Sequence, residues 1–271
     1  MRMQNEQKNL IKIYTNLLDE HRVWLKGFDK RYSTKWENLL NKNCCEAAIC
    51  EAATRKLLSE QEVSVKPNEN LATGGPDFLC TKDGKNFYVE VTCITKDAMT
   101  KATRLPSEPE GSVFCCSSSP TKRILQEIGR KAERCANLNS PCIVVVCTLH
   151  QWGGGIITND IEIQKLLTGE LLIGGTLNPN SGRFENFKWI SRLWGALFNR
   201  FAETEKEKVV EARKTISAVL IFAISAKNYG SAKGLLHPNP NRSFDRKLLP
   251  KIEFCKLADG YQTGSSRVKW V

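Results

Sequence analysis

The stretch "GGPDFLCTKDGKNFYVEVTCI", residues 74–94, predicts two β-strands joined by a tight turn. Residues 76–81 and 85–94 contain β-branched and aromatic side chains, and the "KDG" between them ends in the glycine that a hairpin turn favours. The first strand starts beside Asp77, after Gly-Gly-Pro, and the second holds Glu90 within an apolar run. Because antiparallel strands place opposed side chains together, the two carboxylates are expected to lie close to each other.

Two carboxylates at close range in a buried hairpin need compensation. Burying an ionised carboxylate without a partner costs several kcal/mol, and two such groups repel each other unless a cation lies between them. A Mg²⁺ (or Mn²⁺) ion takes one or two carboxylates with waters and phosphate oxygens, and it can activate water for attack on a phosphoryl group. Asp77 and Glu90 therefore predict a divalent metal site suited to phosphodiester hydrolysis; the alternative for Asp77 is an ordinary turn aspartate. An amide at either position is expected to leave the fold intact.

The composition favours a globular protein with a polyanionic partner. The chain has 271 residues and a formal net charge of +11, which suits nucleic acid or an anionic membrane surface; the alternative is a merely soluble basic surface. No apolar run reaches the roughly 18 residues of a membrane span, so no membrane span is expected. The 11 cysteines include no C-x-x-C pair and are interpreted as buried free thiols in a reducing cytosol. A cytoplasmic location without a secretory signal is therefore expected.

Helices and strands alternate on both sides of the hairpin. Apolar residues at helical spacing precede it at 4–26, 34–42 and 43–60, followed by an alternating strand at 62–66. The elements predicted after it are a loop at 100–119, a helix at 119–138, an apolar strand at 142–149, a glycine turn at 152–156, a helix at 160–167, an aromatic helix at 189–201, a strand at 215–224, a loop at 227–244 and a strand at 251–257.

This order predicts an α/β fold with a central mixed β-sheet flanked by helices. The predicted divisions are a helical N-terminal extension at 1–42, the α/β domain at 43–257 and a C-terminal tail at 258–271.

The order of helix, "PDF", hairpin turn, "VEV" strand, helix and buried strand resembles the PD-(D/E)XK nuclease superfamily over roughly residues 43–150. The resemblance implies a restriction-endonuclease-like fold and metal-dependent hydrolysis of phosphodiester bonds in DNA or RNA. It also implies that Asp77 and Glu90 are metal ligands, with the backbone carbonyl of Val91 as a third.

The sequence departs from the family pattern at Thr92, where the motif has a lysine that orients the attacking water. A threonine hydroxyl can donate a hydrogen bond but has no charge. Lys131 on the following helix is the first candidate to supply that charge and Lys96 is the second, although either could be an ordinary solvated lysine. Glu46 is preferred to Glu51 as the helix glutamate of the site, because its helix face contains more apolar residues.

Three functions stay open on these residues. The first is a metal-dependent nuclease-like enzyme acting on DNA or RNA. The second, favoured by Thr92, is a catalytically inactive nuclease-fold module that binds nucleic acid or a protein partner. The third is an interaction protein that uses its N-terminal helices and the aromatic stripe at 189–201 to bind a protein. The oligomeric state is not indicated.

Overall fold

The computed structural model describes residues 2–42, 44–68, 75–107, 120–169, 171–179, 181–191, 196–201, 209–225, 232–258 and 268–271. Within these ranges the chain is an α/β protein with eight α-helices and an eight-stranded mixed sheet, so the predicted fold class is confirmed. None of the helices in these ranges is long and apolar enough to cross a membrane.

Twelve strands are described, of which eight form the central sheet. They are β1 Ser64–Pro67, β2 Phe78–Lys82, β3 Lys85–Cys93, β4 Cys142–Thr148, β5 Leu171–Leu177, β6 Phe184–Ser191, β7 Asn199–Phe201, β8 Val209–Glu211, β9 Ala218–Ala223, β10 Lys233–Leu236, β11 Glu253–Leu257 and β12 Val268–Trp270. The central sheet has the order β1-β2-β3-β4-β9-β10-β11-β12. β2 and β3 pair antiparallel, and β3, β4 and β9 run parallel. The predicted hairpin and its place beside the apolar strand are thus confirmed.

The helices cover both faces of this sheet. They are α1 Arg2–Ile13, α2 Thr15–Leu25, α3 Lys30–Asn41, α4 Cys45–Glu60, α5 Lys96–Thr103, α6 Thr121–Ala132, α7 Gln151–Ile157 and α8 Asp160–Thr168. Side chains of α1–α4 form one core cluster with one face of the sheet, and side chains of α5–α8 form a second cluster with the other. β4 is buried along its whole length because it receives helices on both faces, which explains its unbroken apolar sequence.

Both ends of the described chain pack against or pair with the central sheet. The predicted helical N-terminal region is present, and Trp36 and Leu40 of α3 belong to the same core cluster as one face of the sheet. Residues 4–26 form two helices that break at Tyr14. In the predicted tail, β12 pairs antiparallel with β11 and forms the edge of the central sheet.

The prediction of an aromatic helix at 189–201 is wrong. Phe184–Ser191 is a strand that pairs antiparallel with Leu171–Leu177, and Asn199–Phe201 is a strand that pairs with Val209–Glu211. The turn between β5 and β6 is closed by a hydrogen bond from Asn178 N–H to the Arg183 carbonyl at 2.9 Å. Cross-strand pairing through this turn outweighs the helical spacing of the aromatic residues.

Three other local predictions are wrong in whole or in part. The glycine turn at 152–156 lies within helix α7, and the predicted loop at 100–119 begins with the end of α5. Residues 108–119 of that loop lie outside the described residues. The predicted loop at 227–244 contains β10, because this short segment completes the sheet between β9 and β11.

The cysteines differ from the expectation of free thiols at one place. Cys135 and Cys142 form a disulfide between the end of the α6 region and β4, with Cα atoms 6.1 Å apart. The seven other described cysteines are free. This disulfide was not predicted from the sequence, because the connection between helix and strand brings its two sulfurs together and no short motif marks it.

Candidate functional site

The hairpin register places the two predicted acids at the same end of the β2–β3 pair. Phe78 lies opposite Val89, so Asp77 and Glu90 each adjoin the first pair of this register. Asp77 Oδ2 accepts a hydrogen bond from the Val91 N–H at 2.6 Å. The Asp77 carboxylate therefore lies against β3 at the point where β2 begins.

Glu90 is fully buried, with 0% of its surface exposed, and two cations contact it. Its Oε1 accepts hydrogen bonds from Lys131 Nζ and, at 3.0 Å, from Arg134 Nη1. Its Oε2 is buried and has no hydrogen-bond partner among the described residues. The compensation that a buried carboxylate requires is thus supplied in part by the protein itself.

Helix α6 explains why Lys131 reaches Glu90. Ile124 and Ile128 are fully buried against the sheet, and Lys131 follows Ile128 by three residues on the same helical face. Its side chain is 18% exposed, so it is not an ordinary solvated lysine. Arg134, three residues further on and just past the helix end, adds the second cation.

Lys96, the second candidate for the missing charge, is directed elsewhere. Its Nζ lies 3.9 Å from Glu6 Oε1, and its backbone N–H donates to Glu46 Oε2 at 2.9 Å. Lys96 therefore helps to position Glu46 through its backbone. Burial is the main cause that raises the pKa of Glu46, and the Lys96 N–H acts in the opposite direction.

One cavity of about 550 Å³ brings most of the predicted residues together. Glu46 and Glu51 line it from α4, Asp77 from the start of β2, and Lys131 from α6. Its remaining predicted lining residues are Val91 and the buried Thr92 from β3. Both helix glutamates thus face the site. Glu90 does not line the cavity itself; it is buried behind Lys131 and Arg134, which contact its carboxylate and do line the cavity.

The cavity also includes basic residues that sequence reasoning missed. Lys35 and Lys42 line it from α3 and its end, and Arg134 lines it beside Lys131. The spacing of Lys131 and Arg134, i and i+3, was a signal that could have identified the second cation. No comparable signal marked Lys35 or Lys42, because the crossing of α3 over the site depends on tertiary packing.

A divalent ion such as Mg²⁺ requires several oxygen donors directed at one point. Among the described residues, no group of three or more His, Cys, Asp or Glu side chains is arranged to hold a metal. However, Mg²⁺ is commonly held by one or two carboxylates with waters and substrate phosphates, and the Glu90 Oε2 is a buried oxygen that lacks a partner there.

The Val91 carbonyl is compatible with such a site. The N–H and C=O of one residue in an extended strand point to the same side, and the Val91 N–H faces Asp77. The carbonyl therefore also faces the start of β2. Asp77, Glu90 and this carbonyl fit Mg²⁺ or Mn²⁺ in chemical type.

Comparison with known proteins adds no assignment to this geometry. No family model, curated protein or solved structure matches the chain.

Proposed function

We propose that the chain is a metal-dependent nuclease-like protein that hydrolyses phosphodiester bonds in DNA or RNA. The observation that supports this proposal best is the shared cavity, in which Glu46, Asp77, Thr92 and Lys131 converge from four separate elements. Asp77 and Lys131 are 54 positions apart in sequence, yet both line this cavity. A cavity with acidic and basic walls suits both a cation and a phosphate group.

Each residue has a distinct part in the proposed reaction. A bound Mg²⁺ or Mn²⁺ ion, held by Asp77, Glu90 and the Val91 carbonyl, would supply Lewis-acid polarisation and a more acidic water. Lys131 provides the positive charge that the motif lysine would have supplied, next to the phosphate oxygens that become more negative. Arg134, 48% exposed, can hold a phosphate with two parallel N–H donors.

Glu46 and Thr92 complete the proposed chemistry. Because burial raises the pKa of Glu46, its carboxyl is suited to accepting and releasing a proton at the cavity wall. The buried hydroxyl of Thr92 can donate one hydrogen bond into the cavity but adds no charge.

A second candidate is a catalytically inactive nuclease-fold module that binds nucleic acid or a protein partner. The observation that favours it is the contact of Lys131 and Arg134 with Glu90, which offsets the acidic charge without a metal. Thr92 in place of the motif lysine points the same way. In this case the cavity holds a phosphate group but does not cleave it.

Cleavage assays with Mg²⁺ or Mn²⁺ on single-stranded and duplex DNA and RNA separate the two candidates. Asp77→Asn and Lys131→Ala are expected to reduce the rate by about 100-fold or more, because each removes a charge that acts on the transition state. Lys122→Ala is the matched control, since Lys122 is an exposed lysine of the same helix outside the cavity.

Thermal unfolding of each variant verifies that the fold is retained. Equal cleavage by wild type and Asp77→Asn would contradict the hydrolase. Binding of every substrate without cleavage by the wild-type chain would identify the inactive module.

A further inference from the structure

A second cavity, of about 710 Å³, lies next to the candidate site and is lined by the N-terminal helices. Its aromatic wall is formed by His21, Trp24, Tyr32, Trp36 and Phe78. The two cavities are adjacent, because five residues line both of them: Lys35, Leu39, Lys42, Glu51 and Asp77. A ligand in the aromatic cavity would therefore extend directly towards Asp77.

The aromatic wall contains a buried polar atom without a partner. His21 lies between Trp24 and Trp36, with ring centroids 5.0 Å and 4.7 Å away, and it is 1% exposed. Its Nδ1 has no hydrogen-bond partner among the described residues. Trp36, by contrast, donates its Nε1–H to the Ala48 carbonyl at 3.2 Å.

The His21 ring is neutral near neutral pH, because burial, and then the charge of Arg55, lowers its pKa to about 3. In a neutral imidazole one ring nitrogen donates and the other accepts, so the tautomer decides which of the two roles Nδ1 takes. A polar group of a bound molecule, or a water molecule, can supply the missing partner of such a buried ring nitrogen.

The rim of the aromatic cavity is basic. Lys30, Arg31, Lys35 and Lys42 line it, and all four are exposed residues of α3 or its C-terminal end. Arg31 forms a surface ion pair with Asp29 at 2.7 Å, which leaves the overall charge of the rim positive. These cations complement a polyanion at the mouth of an apolar cavity.

We propose that the aromatic cavity binds an unpaired nucleobase of a single-stranded nucleic acid, whose phosphates follow the basic rim along α3 to the candidate site. The proposal rests on the proposed function, since it assigns a substrate class to the same site. Single strands bind proteins through a combination of aromatic stacking and basic grooves. A duplex keeps its bases inside the stack and cannot place one in this cavity without flipping it out.

The test measures binding separately from cleavage, by fluorescence anisotropy without divalent metal. The probes are labelled 20-nucleotide oligo(dT) and oligo(U), an abasic strand of equal length, and a duplex. The oligo(dT) or oligo(U) strand is expected to bind about 5- to 150-fold more tightly than the abasic strand, the range expected for stacking of one base. Tighter binding of oligo(dT) than of oligo(U) identifies DNA as the preferred strand, and the reverse identifies RNA.

Two variants localise this effect. Tyr32→Ala removes an aromatic wall, and Asn38→Trp fills the cavity from an exposed position of α3. Each is expected to reduce binding of the base-containing strand to the level of the abasic strand. Asn16→Trp is the matched control, because Asn16 is exposed on α2 and lines neither cavity. If Tyr32→Ala does not fold, Asn38→Trp still decides the result.

Equal affinity for the base-containing and abasic strands, or unchanged binding by Asn38→Trp, would overturn the inference and leave the cavity to another ligand. The two proposals fail separately. Cleavage that Asp77→Asn abolishes, with no effect of Asn38→Trp on binding, would refute this inference alone. Base-dependent binding without any cleavage would refute the hydrolase alone.

Discussion

Glu90 shows how one residue determines the electrostatics of the candidate site. The sequence predicts repulsion between Asp77 and Glu90, so that an amide at either position would leave the fold intact. In the structure the main interaction of Glu90 is attraction to two cations, because Lys131 and Arg134 both contact its Oε1. Removing the acid would leave two cations beside a buried position without their partner.

We therefore expect Glu90→Gln to lower the free energy of unfolding by about 2–4 kcal/mol, since breaking a buried ion pair from one side leaves the other charge uncompensated. Asp77→Asn is expected to cost less than about 1 kcal/mol, because the amide oxygen can still accept the Val91 N–H. Urea unfolding followed by circular dichroism measures both. Equal stability of wild type and Glu90→Gln would contradict the ion-pair account.

At the scale of single residues, the sequence predicted the side chains that stand out in their local pattern. Asp77 and Glu90 were found because acids are unusual in an apolar hairpin, and Lys131 because it lies on a helix that follows the hairpin. His21, Lys35 and Lys42 were not found, since their approach to the site depends on how α2 and α3 pack on α4. Local periodicity contains no information about that packing.

At the scale of elements, helix α7 shows why a local pattern can mislead. "WGGGI" has three glycines, which favour a turn on propensity alone. A Cβ at Gly153 would lie 2.1 Å from Met99 Cγ, and one at Gly154 would lie 2.5 Å from Ala223 Cβ. The first two glycines therefore allow α7 to pack closely against α5 and β9, which stabilises a helix that propensity does not favour.

The same geometry predicts opposite effects of two neighbouring substitutions. Gly154→Ala is expected to destabilise the protein by about 1–3 kcal/mol, because the new methyl group overlaps Ala223. Gly155→Ala is expected to stabilise it by up to about 1 kcal/mol, since a Cβ there meets nothing within 4 Å and alanine favours the helix. Thermal and urea unfolding measure both changes. Equal effects of the two variants would contradict the packing of α7.

The wrong helix at 189–201 had a related cause. Aromatic residues of this region fit helical spacing, but the segment "NPNSGR", residues 178–183, contains strong turn residues that predict a hairpin. The positive φ of Gly182, +64°, agrees with that turn. Turn chemistry was the better guide here, because β5 and β6 stabilise each other across the turn.

At the scale of the whole molecule, the net charge of +11 has a specific place to act. Six basic residues line the two adjacent cavities, and two of them, Lys35 and Lys42, line both. The six are Lys30, Arg31, Lys35, Lys42, Lys131 and Arg134. Binding of a polyanion there would release counterions in proportion to the number of phosphates neutralised. Salt dependence therefore distinguishes this path from a generally basic surface.

We expect the logarithm of the affinity for single-stranded nucleic acid to fall with the logarithm of salt concentration with a slope of about −3 to −4, as four to six neutralised phosphates require. The double variant Lys35→Glu/Lys42→Glu is expected to make the slope less steep by about 1 or more, because two of the six cations are lost. Lys247→Glu is the control for charge reversal, since Lys247 is exposed and lines neither cavity. Equal slopes for the double variant and the control would place the binding surface elsewhere. Absence of binding even at low salt would contradict both nucleic-acid functions and favour a protein partner for the N-terminal helices.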